Sequence, residues 1–272
     1  MTTAGPETTD NDARDAYLDL LKRCLTRYSG GRIFLAPPLA KARTMEQIQR
    51  GRFAHQDADT MIGWPRLDNV RHCVETVLRE HVPGDLLEAG VWRGGCCMFM
   101  RAILRAWGVT DRRVWVADSF AGFPEPDTGR YPDDAVFDSA IAREILDDFG
   151  YPIAVGLDEV RSRFASYGLL DDQVRFLAGY FADTLPQAPV ERLAVMRLDG
   201  DMYQSTFESL EHLYPKLSAG GFCIVDDYVL DGCRKAVDRF RDTYGISDPI
   251  ERIDWTGVFW RRTTGETGVD QR

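Results

Sequence analysis

Two acidic clusters stand out in this 272-residue chain: Leu198-Asp199-Gly200-Asp201 and, 25 residues further on, Ile224-Val225-Asp226-Asp227-Tyr228. Each closes a short apolar run, so the carboxylates should stand at the ends of consecutive strands. Four carboxylates brought into one crevice repel one another unless a cation neutralises them. All are oxygen donors with no His or Cys beside them, which favours magnesium or a similar hard cation over zinc. A lone Asp at either place would be read as the cap of the helix that follows. Asp-x-Asp on one strand and Asp-Asp on the next exceed what capping needs.

A second constellation lies upstream, in Glu88-Ala-Gly-Val-Trp-Arg-Gly-Gly95. Gly90 lets the backbone approach a ligand, and Gly94-Gly95 open a helix whose amides face the same crevice. Asp118, one βα unit later, is placed to accept hydrogen bonds from ribose hydroxyls. Together they describe a nucleoside half-site, although the glycines alone would fit a plain βα turn. A dinucleotide fingerprint wants G-x-G-x-x-G with an acidic residue about 20 positions on. Here Trp92 stands where the second glycine would be, and Asp118 lies 28 residues after Gly90. Glu88 would repel a diphosphate but suits a cation. S-adenosylmethionine carries a sulfonium and an ammonium and no phosphate, so the choice tips to the methyl donor.

The elements that must hold these residues can be read from apolar periodicity. Residues 1–10 are polar and predict a mobile tail. Tyr17, Leu20, Leu21, Cys24, Leu25 and Tyr28 recur at helical spacing, and Gly30-Gly31 ends that helix. Residues 30–66 predict a cap or lid, with a short helix over 44–50. Val70, Cys73, Val74, Val77 and Leu78 mark the next helix. Strands are expected at 85–90, 114–118, 174–178, 193–198 and 222–225, with helices from Gly95 to Trp107, Gln204 to Leu217 and Cys233 to Tyr244. A Pro/Asp-rich loop covers 122–138 and helical segments run on to about 166. The runs 250–254 and 258–262 predict a terminal antiparallel pair. Alternating strands and helices imply an α/β fold with a mostly parallel sheet between helices.

Composition bounds the function classes. Lys plus Arg number 33 against 43 Asp plus Glu, a net charge of −10. That balance argues against a nucleic-acid or anionic-membrane surface. No apolar run reaches the roughly 18 residues that span a bilayer, and the first ten residues lack the regions of a signal peptide. A cytoplasmic protein is expected. Six cysteines without CxxC or zinc-finger spacing read as reduced packing residues. His72 and His212 read as helix-surface or packing residues and His81 as a helix end, whereas His55, in the cap region, is a candidate to touch substrate. No G-x-S-x-G elbow and no P-loop is present, so hydrolase and phosphoryl-transfer readings lack their motifs.

With these residues in view, the chain resembles the macrocin O-methyltransferase family of antibiotic biosynthesis over roughly residues 15–262. The likeness is carried by Gly-Val-Trp-Arg-Gly-Gly95 with Val114-Trp-Val-Ala-Asp-Ser-Phe120, by Thr60-Met-Ile-Gly63, Arg66-Leu-Asp-Asn69, Arg197-Leu-Asp-Gly-Asp-Met-Tyr203 and Gly220–Tyr228. Residues 29–59 depart from the family pattern. The resemblance implies a Rossmann-like methyltransferase fold of seven strands, the last antiparallel. The expected organisation is a tail (1–10), an N-terminal helical cap (11–66), a methyltransferase domain (67–264) and a tail (265–272). It implies S-adenosylmethionine and Mg²⁺ as cofactors, a glycoside whose deoxysugar hydroxyl is methylated, and a homo-oligomer. The alternatives are an aglycone or phenolic acceptor, a nicotinamide-dependent oxidoreductase, or a fold that binds without catalysis.

By the same resemblance Thr60, Met61, Glu88, Gly90, Arg93 and Gly94 hold the methionine end of the donor. Asp118 and Ser119 take the ribose, Gly179, Tyr180 and Phe181 border the adenine, and Asp199 completes the donor site. Asp199, Asp226 and Asp227 are then the expected metal ligands and Asp201 the general base, with Asp199 and Asp201 able to exchange roles.

Overall fold

The structure is a computed structural model that describes residues 6–27, 49–51, 54–138 and 152–263. Its centre is a seven-stranded sheet: β1 (Asp85–Ala89), β2 (Val114–Asp118), β3 (Val174–Ala178), β4 (Leu193–Leu198), β5 (Leu217–Val225), β6 (Glu251–Arg252) and β7 (Val258–Arg261). The order across the sheet is β3-β2-β1-β4-β5-β7-β6. β1 to β5 are parallel; β7 runs antiparallel to β5, and β6 antiparallel to β7. The chain therefore winds outward from β1 in one direction through β2 and β3, and in the other through β4 and β5. The reversal between β1 and β4 opens a crevice at the carboxyl ends of the strands, where ligands of such sheets sit.

Among the described residues seven helices surround the sheet: α1 (Pro6–Thr26), α2 (Trp64–Arg79), α3 (Gly95–Ala106), α4 (Leu157–Ser166), α5 (Phe181–Thr184), α6 (Tyr203–Leu213) and α7 (Asp231–Tyr244). Alternating strand residues feed two cores. Leu86, Val114, Val116, Val195 and Ile224 pack with α1 to α4 on one face, and Leu87, Trp115, Met196, Cys223 and Val225 with α6 and α7 on the other.

Several expectations shift. α1 begins at Pro6, inside the stretch expected to be a tail, and its buried stripe is Leu18, Leu21 and Leu25; Tyr17 and Leu20 are exposed. Those three leucines join the same core as the sheet, and α2 runs across the expected boundary at 66/67. The helix expected to reach Leu217 stops at Leu213. Tyr214-Pro-Lys216 forms a 3-10 turn, and Leu217 opens β5. A further 3-10 turn, Pro132–Asp138, closes the long loop after β2. Residues 28–48, 52 and 53 of the expected cap lie outside the described residues, and with them all but the last two residues of the 44–50 helix.

Candidate active site

A cavity of about 360 Å³ opens at the carboxyl ends of β1, β2, β4 and β5. Its floor is set by Gly90, whose φ of +87° belongs to the left-handed region that favours glycine. A Cβ there would run into the carbonyl oxygen of Asp199. Gly90 thus brings the first βα turn against the turn after β4, and the two halves of the crevice meet at one backbone contact.

The acidic end is built around a buried cation. Arg197 lies beside Glu88 in the register of β4 and β1, so both point to the same face. Its guanidinium is fully buried; Nη1 donates to Glu88 and, at 2.7 Å, to Asp199, and Nη2 donates to Asp226. Arg66 of α2 reaches the same carboxylate of Asp226 through Nη1, pairs with Asp254 at 3.1 Å and donates to Gly51 O at 2.8 Å. Burial would raise the Asp226 carboxyl, but Arg197 and Arg66 outweigh it and hold it below the usual carboxylate range. Its neighbours go the other way. Burial, with Asp199 and Asp226 nearby, raises Asp201 to about 7. Burial and the facing Asp201 and Asp199 push Asp227 well up. Two guanidiniums therefore leave the cluster short of positive charge, most of all at Asp201 and Asp227. Asp199, Asp226 and Asp227 can each bring one oxygen within 4.8 Å of the others. Asp201 sits at φ +57°, a strained setting for a non-glycine residue, and its amide donates to Asp227 Oδ2 at 3.2 Å.

At the other end, Asp118 closes β2 and lines the cavity with Ser119, Gly90 and Met61. Its carboxylate accepts from Val91 N and Phe120 N, both at 2.8 Å, which fixes its orientation and leaves lone pairs for a ligand. Tyr180 and Phe181, at the end of β3 and the start of α5, form the facing wall.

The remaining expected donor residues make their contacts with the protein itself. Thr60, Glu88, Arg93, Gly94 and Gly179 are absent from the cavity lining. Thr60 Oγ1 accepts from Ile62 N at 3.3 Å within its own loop. Arg93 donates to Gln56 O and Ala58 O at 2.6 and 2.7 Å and covers the Trp92 ring, tying down the 54–63 loop. Glu88 is fully buried, bonded to Arg197 and to Cys97 Sγ, and raised to about 7 by that burial. Gly94 takes a left-handed turn, where a Cβ would meet Val160 and Phe164. His55, the candidate to touch substrate, is buried, and its Nδ1 accepts from Asp57 N at 3.1 Å.

Arg66 and Arg197 carried no role in the sequence reading. The available signal was Arg197 itself: a charge inside the apolar run Leu193-Ala-Val-Met-Arg-Leu198 of a central strand must be paired when buried.

Among the described residues no helix is long and apolar enough to cross a membrane. The macrocin-O-methyltransferase (TylF) family model matches residues 38–262. The chain is 54% identical over 259 residues to the 8-demethyl-8-(2,3-dimethoxy-alpha-L-rhamnosyl)-tetracenomycin-C 4'-O-methyltransferase of Streptomyces olivaceus, covering 93% of this chain and 94% of that one. It is 49% identical over 251 residues to the mycinamicin III 3''-O-methyltransferase of Micromonospora griseorubida, covering 92% and 97%. The solved structure of the O-methyltransferase NovP superposes with a TM-score of 0.83 at 46% identity, covering 92% of this chain and all of that one. These matches set aside the hydride-transfer and non-catalytic readings. The chain belongs to the macrocin O-methyltransferase family and is an O-methyltransferase.

Proposed function

We propose that the chain transfers a methyl group from S-adenosylmethionine to a hydroxyl of a deoxysugar on a glycosylated natural product, with Mg²⁺ as cofactor. The observation that carries the reading is a single cavity with a ribose-type acceptor, Asp118, at one end and four strand-end carboxylates at the other. The sugar acceptor is supported by the S. olivaceus relative, whose name specifies a rhamnosyl compound methylated at a 4' oxygen.

A sugar hydroxyl is a poor nucleophile near neutral pH and must lose its proton during transfer. Asp201 is the base: it lines the cavity beside the metal-side carboxylates, its amide is tied to Asp227, and burial strengthens its hold on a proton. Asp118 and Ser119 orient the donor, and Gly90 leaves room for it beside β4. The work of these residues is alignment, since S-adenosylmethionine supplies a methyl group already activated on sulfur. The donor set fits a hard cation, because Asp199, Asp226 and Asp227 offer oxygens alone and carry more negative charge than their two arginines offset. Magnesium held there would acidify a bound hydroxyl and fix its position.

The test is incubation with isotope-labelled donor and a panel of glycosides, read by fragment mass spectrometry. One added methyl on the sugar fragment is expected. Label confined to the aglycone, or to none of the panel, would overturn the acceptor assignment.

A further inference from the structure

The first turn of α6 is capped from a distant part of the chain. Met202, the residue before the helix, makes no side-chain bond to it. The amides of Tyr203 and Gln204 have no acceptor within the helix and need one from elsewhere. Asp134, 69 residues upstream of Tyr203, supplies it: its carboxylate accepts from Tyr203 N at 2.6 Å and from Gln204 N at 2.9 Å. The residue is fully buried, and two amides at the positive end of a helix are a setting that suits a buried carboxylate.

The turn that carries Asp134 is itself fastened. Asp134 N donates to Tyr131 O at 3.0 Å, the Tyr131 ring lies 5.8 Å from that of Tyr203, and Lys235 of α7 donates to Asp133 at 2.5 Å. Asp134 is thus a fixed point from which α6 starts. Just ahead of that start, two residues before Tyr203, stands Asp201. Its φ of +57° is a conformation that persists only where the surroundings over-determine it. On one side its amide donates to Asp227. On the other its turn packs on the helix, since a Cβ at Gly200 would stand 2.9 Å from that of Ser205. The place of Asp201 therefore depends on the place of the first turn of α6.

Resting on the reading of Asp201 as base, we infer that Asp134 is a positioning residue for it: by capping α6 it holds the Asp201 carboxylate where it takes the proton of the acceptor hydroxyl. Asp134 is absent from the cavity lining, so it acts through the helix and touches no substrate.

A double-mutant cycle on the full chain tests this, with the glycoside that takes up label in the panel above and well below the melting temperature of each variant. Asp134→Ala should lower kcat by about tenfold to a hundredfold, the scale of a small misplacement of a catalytic group. Its KM for S-adenosylmethionine should stay within about twofold, and its affinity for S-adenosylhomocysteine should be unchanged in calorimetric titration. Asp134→Asn keeps one accepting oxygen and should recover part of the rate. Asp134→Ala combined with Asp201→Asn should be no slower than Asp201→Asn alone, because a base that is missing cannot be misplaced. Losses that multiply in the double variant would overturn the inference while leaving Asp201 as base. So would an Asp134→Ala protein that melts lower yet keeps the parent kcat, the mark of a merely structural cap. Should Asp134→Ala not fold, Asp134→Asn serves in the same cycle with smaller losses. An Asp201→Asn protein as fast as the parent would sink the base reading, and the inference with it.

Discussion

Arg197 donates from inside the sheet to Asp226, and this bond joins the last pleat of β4 to the carboxyl end of β5. The same guanidinium also holds Glu88 and Asp199, so one side chain is the counter-ion of three carboxylates. Removing one partner of a buried ion pair typically costs about 3–5 kcal/mol, because the other charge stays buried alone. Arg197→Met should therefore lower the unfolding free energy by about that amount in urea melts. Glu88→Gln combined with it should recover part of the loss. Equal stabilities of the single and double variants would show that Glu88 is not held by Arg197.

The two metal-side aspartates should respond differently. Asp226 is bonded on one oxygen by Arg197 and on the other by Arg66, whereas no arginine reaches Asp227 among the contacts of the described residues. Asp226→Asn is expected to lose stability first, by roughly 3 kcal/mol. Asp227→Asn is expected to keep its melting behaviour and to need at least tenfold more Mg²⁺ in a calorimetric titration. Unchanged Mg²⁺ affinity in the Asp227 variant would remove it from the ligand set.

Asp201→Asn separates base from ligand. It should bind donor and metal as before and turn over about 10²–10⁴-fold more slowly, the usual contribution of a positioned base. Raising Mg²⁺ should not restore the rate. If saturating metal does restore it, Asp201 is a ligand and the base lies elsewhere.

Acid stability offers a probe far from the cavity. Asp171 takes both Arg101 Nε and Nη2 on its carboxylate, at 3.0 and 2.6 Å, and the Arg101 bonds hold it below the usual carboxylate range. A carboxyl lowered in the folded state contributes stability above its unfolded value of about 3.9 and loses it as pH falls through the folded one. Asp171→Asn should then lower the melting temperature modestly near pH 7, since half of the pair faces solvent. The gap to the parent protein should close as the pH drops below about 4. A gap that persists there would mean that the effect comes from packing.

The carboxyl ends of the parallel strands were legible almost to the residue because each is a short apolar run ended by Gly or Asp, and that punctuation marked the ligand side of the sheet; the start of β5 was not, since it opens at Leu217, five residues before the expected Phe222. The acidic clusters were legible for the same reason, and β4 and β5 do bring them together. What the pattern hid was direction. In α1 the apolar residues wrap more than one face, so spacing alone could not separate the buried Leu18, Leu21 and Leu25 from the exposed Tyr17 and Leu20. Leu217 fits a helical repeat and a strand equally, and Pro215 decides between them by breaking α6. Glu88, Arg93 and Thr60, expected at the donor, make contacts that spacing does not announce: with Arg197, with the 54–63 loop and with Ile62. Arg66 escaped notice because Asp226 lies 160 residues away in the chain, a relation no local pattern carries; Arg197 announced only its need of a counter-ion, and its link to Glu88, 109 residues away, was hidden in the same way.

The short outer strand has a consequence for behaviour in concentrated solution. An edge strand with free amides and carbonyls is a template on which a second molecule can extend the sheet. On the β7 side this sheet ends in β6, two exposed residues, Glu251 and Arg252, carrying opposite charges and offering too little backbone for a foreign strand to register against. Self-association by sheet extension is therefore disfavoured along that border, and among the described residues the opposite border, β3 with Arg175 as its second residue, is the longer edge.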